Sequence, residues 1–113
     1  MANIGKLIVF QEARELLRAV QQLTEGIEFG DLRSQIRRAA ISVVSNICEG
    51  AGSASDKQFA RYCRMAKGSV NEVFGQLHIL SDLGLIAQDH SAIALSDRIS
   101  RRLYCLIKRL ESG

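Results

Sequence analysis

The 113-residue chain carries 15 Lys and Arg against 12 Asp and Glu, for a net charge of +3, with 47% hydrophobic residues, 5% aromatic residues and no proline. That length leaves room for one domain, residues 1–113, large enough to bury a core without disulfides or metals, and the excess of Leu, Ile, Val, Ala, Arg and Gln over aromatics and proline predicts an all-α class. The apolar run at residues 7–10 is too short for a signal-peptide core or a membrane span, so a cytoplasmic protein with no membrane partner is expected.

Apolar residues at Val9, Ala13, Leu16, Val20, Leu23 and Ile27 alternate spacings of four and three, which predicts a first helix over about residues 5–25. Gly26 and Gly30 bracket a short connection, and Asp31 is placed to cap a second helix with the stripe Leu32, Ile36, Ala39, Val43 and Ile47, stopped by Gly50. This helix has a second apolar side, Ile41, Val44 and Cys48, with Arg37 inside it and Arg38 pointing elsewhere. One side can face the domain core; the other needs a cover, either the chain's own first helix or a loop, or more economically a second copy of the chain.

After the small residues 51–54, Ser55 with Gln58 three positions on forms a capping-box pattern. It opens a third helix whose inner stripe runs Phe59, Tyr62 or Cys63, Ala66, Val70, Val73, Leu77 and Leu80, ended by Gly84. About thirty residues at 1.5 Å each span about 45 Å. Gly68 and Gly75 lie on its outward face, one heptad apart. Each costs about 1 kcal/mol relative to Ala, which a close approach by a neighbouring helix or a nucleic-acid backbone would explain. Beyond Asp89 and His90 the stripe Leu95, Ile99, Leu103, Leu106 and Leu110 predicts a fourth helix. Four helices with short connections predict an up-and-down antiparallel four-helix bundle.

Charge is blocked along the chain. Residues 33–67 hold a net +5 and residues 98–109 a net +5 without an acid, whereas residues 68–97 hold four acids and no Lys or Arg. At 100° per residue Lys57, Arg61 and Arg64 share an arc opposite the third helix's apolar stripe, with Lys67 at its margin. Arg98, Arg101, Arg102, Lys108 and Arg109 likewise lie away from the stripe of the fourth helix. Such ridges, with Arg33 and Arg38 of the second helix, can neutralise phosphates of RNA or DNA and release counterions. The competing reading is a solvated face or one that docks an acidic protein.

Signals for catalysis are weak. No Glu-x-x-His pair is present, and His78 and His90 are isolated from other ligand types. Residues 50–52 lack the Lys-Ser/Thr ending of a phosphate-binding loop. Cys48, Cys63 and Cys105 are odd in number, far apart and inside apolar-periodic segments, which reads as reduced core thiols rather than nucleophiles, a disulfide framework or a metal knuckle. No enzyme, cofactor, metal or small-molecule substrate is expected.

The run from Gln35 to Gly50, Gln-Ile-Arg-Arg-Ala-Ala-Ile-Ser-Val-Val-Ser-Asn-Ile-Cys-Glu-Gly, followed by Phe59, Tyr62, Ala66, Gly68, Ser69, Glu72 and Leu77, resembles a bacterial family. These are the four-helix-bundle proteins encoded in intervening sequences of large-subunit ribosomal RNA genes, related to the accessory variability proteins of diversity-generating retroelements. The resemblance covers nearly the whole chain. It implies a homopentameric, barrel-like assembly with a positively charged surface and no enzymatic activity and, for the retroelement relatives, binding to nucleic acid and to a reverse transcriptase. Its specific signals are Asn-Ile-x-Glu-Gly, with Asn46, Glu49 and Gly50, and Gly-Ser-x-x-Glu, with Gly68, Ser69 and Glu72; Asn46 and Glu49, near a helix end, read as structural, hydrogen-bonding to a neighbouring turn or subunit. The chain departs from the pattern at Cys48, where alanine is common, and at Ala54, where many relatives carry a basic residue.

Overall fold

The apolar stripes become the inner faces of four helices in a computed structural model that describes residues 7–112. They are α1 (Ile8–Leu23), α2 (Gly30–Ala51), α3 (Asp56–Asp82) and α4 (Ser91–Glu111), and no strand occurs among the described residues. Positions 5 and 6 of the expected first helix lie outside the described residues. Each of α2 and α4 packs against both α1 and α3, around one core. The molecule measures 45 × 20 × 20 Å, and α3 with its 27 residues runs most of that length, about 40 Å at 1.5 Å per residue.

The core follows the period of the sequence. Leu16 and Val20 of α1, Ile36, Val43 and Ile47 of α2, Val70, Val73 and Leu77 of α3, and Ile99 and Leu103 of α4 are all completely buried. Each such side chain stabilises the fold by about 1.5–3 kcal/mol relative to its exposed state. Where the sequence left Tyr62 or Cys63 open on α3, Cys63 takes the core position and Tyr62 is half-buried. On α4, Ile107 is buried while Leu106 and Leu110 only flank the core.

The helix ends show how local chemistry sets the boundaries. Ser55 caps α3, its Oγ accepting the Gln58 N–H at 3.2 Å. At the other end Gly84 has φ +74°, the left-handed conformation that costs glycine least. There Gly84 N–H donates to Ser81 O and Leu85 N–H to Leu80 O, both at 2.9 Å, satisfying carbonyls that the helix leaves unpaired. His90 caps α4, with Nδ1 accepting the Ala92 N–H at 3.1 Å.

Two boundaries on α2 differ from expectation. Asp31 is not the cap: the helix begins one residue earlier, behind Phe29, with no side-chain cap, and Asp31 sits in the first turn, where a carboxylate favours the positive end of the helix. Gly50 does not stop the helix, which continues to Ala51 and is capped by Gly52. Gly50 is instead buried beneath α3. A Cβ there would stand 2.7 Å from Tyr62 Cβ and 2.8 Å from Phe59 Cδ1, so the absent side chain is what lets the two helices meet. Further along the same seam Ser42 and Ser69 share a hydroxyl hydrogen bond of 2.8 Å, and Gln76, 8% exposed, reaches toward Gln35 Oε1 at 3.5 Å.

Candidate nucleic-acid interface

The flank formed by α3 and α4 gathers basic residues from two distant parts of the chain. Lys57 and Arg61 project from the first half of α3 into solvent, and neither forms an ion pair among the described residues. Arg64, one turn on, pairs with Glu111 near the end of α4. Lys67, half-buried, lines a surface cleft of about 480 Å³ together with Ser100, Arg101, Tyr104 and Cys105. Arg101 pairs with Asp97 at 3.1 Å, an exposed bridge of the kind worth about 0–1 kcal/mol and easily exchanged. Lys108 places its Nζ 5.5 Å from the centre of the Tyr104 ring, close enough for a cation–π attraction.

On the opposite edge of α4 the charges are committed. Glu12, buried to 9% exposure on α1, accepts from Arg98 Nε at 2.7 Å through Oε2 and pairs with Arg102 Nε at 2.6 Å through Oε1. The run from 98 to 109 has no acid of its own, but the fold supplies one from 86 residues away. Expecting α4 to present a ridge free of acids is thereby corrected, because helix packing rather than sequence proximity determines which charges meet. Arg98 and Arg102 remain half-exposed on their outer sides.

The α2 arginines belong to a different part of the surface. Arg33 donates to Ile27 O at 3.1 Å and Arg38 to Ser34 Oγ at 3.1 Å, and Arg38 also lines a cleft with Ser69 and Glu72 on the α2 side of α3. Arg37 donates through Nε to Thr24 Oγ1 at 2.8 Å. Thr24, completely buried, in turn donates to Val20 O at 2.6 Å, so the two residues close the end of α1. Around Arg37, Ile41 and Cys48 are exposed and Val44 is half-buried. Gly68 and Gly75 are exposed, with nothing within 4 Å of where a Cβ would stand. Of the motif residues, Asn46 donates back to Ser42 O at 2.9 Å and Ser42 Oγ at 3.1 Å, Glu49 is exposed, and Gly50 is the packing glycine described above.

Cysteine placement departs from the expectation of three core thiols. Cys63 is fully buried, and burial pushes its thiol up to about 11, opposed by the Arg64 guanidinium. Cys48 and Cys105 are exposed because both fall on outward faces of their helices. His78 is exposed and meets Phe74 edge to face at 4.6 Å. Among the described residues no group of three or more His, Cys, Asp or Glu side chains is placed to hold a metal ion, and no helix is long and apolar enough to cross a membrane. Sequence reasoning missed Glu12, Thr24 and Tyr104. The signal for Tyr104 was available, since it is an aromatic residue off the apolar stripe of a helix rich in Arg and Lys.

Four helices, one core and side-chain chemistry carried on outward helix faces define a small all-α, four-helix protein. Its sequence matches the family model described as 23S rRNA-intervening sequence protein over residues 5–105. The chain belongs to that family. A search of curated proteins finds no match.

Proposed function

We propose that this protein is a non-enzymatic, cytoplasmic homo-oligomer that binds RNA or DNA, without sequence preference, through basic helical faces. The observation that carries this reading is the set Lys57, Arg61 and Lys67 on α3, cations without a carboxylate partner among the described residues, beside the weakly held Arg101 of α4. The protomer is an up-and-down antiparallel bundle. Pairings across α2 and α3 run in opposite chain directions, Gln35 with Gln76, Ser42 with Ser69, and Gly50 with Phe59, which supports that topology.

Assembly into a ring of five follows the family resemblance. Its support is the outward Ile41, Met65 and Ile79, all large and about half-exposed, together with the open surface over Gly68 and Gly75. Repetition around a ring multiplies weak phosphate contacts by raising the effective concentration of each further site. No cofactor or small-molecule substrate enters this reading.

The test is binding of labelled RNA and DNA across a salt series, with log affinity on duplex DNA falling by about 0.9 per phosphate neutralised for each tenfold rise in salt. Reversing Lys57, Arg61 and Lys67 to Glu is expected to weaken binding at least tenfold and flatten that slope; unchanged binding removes this face from the interface. Light scattering tests the assembly, and a monomeric mass at micromolar concentration removes the ring.

A second reading is favoured by the exposed Phe29 in the α1–α2 connection and Leu83 and Leu85 in the α3–α4 connection. These suit a scaffold or accessory subunit that docks another protein, such as a reverse transcriptase. Failure to retain nucleic acid at low salt, with co-purification of one protein partner, selects it.

A further inference from the structure

We infer that the cleft between α3 and α4 seats an unstacked base of single-stranded nucleic acid on Tyr104, with the flanking phosphates held by Lys67, Arg101 and Lys108. The inference rests on the nucleic-acid-binding reading above and adds to it the strandedness of the partner and the residue that selects it. Tyr104 is 53% exposed, so its ring is open to an incoming ligand on the outward side of α4. Its ring lines the cleft of about 480 Å³, an open surface depression that could receive one face of a flat ring rather than enclose a ligand. The surface the cleft offers is mostly apolar, although Lys67 and Arg101 contribute to its lining beside Tyr104, Ser100 and Cys105.

That combination distinguishes single strands from duplexes. A base inside a duplex has both faces covered by its neighbours, so an exposed aromatic ring gains nothing from it. In a single strand every base has a face to offer, and stacking on an aromatic residue is worth about 1–3 kcal/mol per base irrespective of sequence. Lys108 lies over this ring, 5.5 Å from its centre, so a base stacking on that face displaces the ammonium and frees its charge for the flanking phosphate. Arg101 can exchange its exposed pairing with Asp97 for a phosphate at little cost, since such a bridge is weak in water. Charge complementarity therefore favours a polyanion here, and the ring favours one with free bases.

Two exposed thiols provide an internal control. Cys105 lines the cleft, Cys48 lies on α2, and Cys63 is buried with its thiol pushed up to about 11, so it reacts slowly with alkylating reagents. A bound single strand should slow alkylation of Cys105 and leave the Cys48 rate unchanged, whether that rate is fast on an open α2 face or slow on one covered by a second copy.

The experiment uses the full chain with a labelled oligothymidylate and an oligouridylate of about 12 nucleotides, and a DNA duplex of the same length. Tyr104→Leu is expected to weaken single-strand binding by about tenfold to a hundredfold, Tyr104→Phe to leave it within about twofold of the wild type, and neither to change duplex binding. Single-strand binding unaffected by Tyr104→Leu, or equal loss for duplex and single strand, overturns the inference while leaving nucleic-acid binding in place. Should the leucine variant unfold, protection of Cys105 in the wild-type protein decides alone: equal protection or none at both thiols overturns the inference. If the wild type binds none of the three probes at low salt, the broader reading fails and this one with it.

Discussion

The seam between α2 and α3 and the seam between α1 and α4 are closed by opposite means. Between α2 and α3 the two closest crossings use short groups, Gly50 under Phe59 and Tyr62 and two serine hydroxyls 2.8 Å apart, with the longer Gln35 and Gln76 only at the far end. Between α1 and α4 the contacts are long and charged, with Glu12 reached by the side chains of Arg98 and Arg102. Short groups fix how closely two backbones lie and leave no slack when volume is added, whereas long side chains can adjust and draw solvent around themselves. The first seam should therefore respond to bulk and the second to charge.

Adding bulk at Gly50 gives the largest expected effect. Gly50→Val places a branched side chain where even a Cβ falls 2.7 Å from Tyr62 Cβ, and overpacking of this kind costs about 3 kcal/mol at the upper end of its usual range. Urea unfolding should show the loss as a lowered midpoint. A midpoint equal to that of the wild type would mean that α2 and α3 can separate without penalty, which would break the comparison at its tighter end.

The charged seam should lose less. Removing one member of a fully buried pair costs about 3–5 kcal/mol, but Arg98 and Arg102 are half-exposed and regain water when Glu12 is lost, so Glu12→Ala should cost about 1–2 kcal/mol. Its effect on nucleic acid should have the opposite sign from that on stability. Two guanidinium groups are released from their carboxylate, so affinity at low salt should hold or rise while the unfolding midpoint falls. Loss of affinity in step with loss of stability would show that Glu12 aims these arginines rather than occupying them.

Which parts of this arrangement could be read from the chain depends on the distance over which each contact acts. The stripes containing Leu16, Val70 and Leu103 follow a helical period within single elements, and Ser55 and Gly84 act on neighbours three to five residues away, so sequence reasoning reached all of them. Gly50 looked like a stop because glycine often ends helices; its actual duty depends on Phe59 and Tyr62, which only the crossing of two helices brings to it. The same limit hid Glu12 from Arg98 and Arg102, and Thr24 from Arg37. Basic periodicity placed Lys57, Arg61, Arg64, Arg98, Arg101 and Arg102 on sides that are exposed, with Arg33 and Lys67 half-buried, but could not say which were already paired. Family membership over residues 5–105 was legible because the run from Gln35 to Gly50 and the later Gly68, Ser69 and Glu72 are patterns of the chain itself, readable without any folded contact.

The smallest expected effect concerns glycines that look like Gly50 in sequence and differ from it in space. Nothing lies within 4 Å of a Cβ added at Gly68 or Gly75, so in an isolated protomer Gly68→Ala and Gly75→Ala should each stabilise α3, by up to about 1 kcal/mol through helix propensity. A neighbouring chain packed over this face would reverse the benefit, because the methyl groups would then occupy the space into which that chain fits. Measuring unfolding and mass together separates the cases. Higher stability with unchanged mass makes the face solvent-exposed, and Gly50 is then the only one of the three used for packing. A protomer that is more stable but no longer assembles identifies the outward glycines as the same device as Gly50, applied between chains instead of within one.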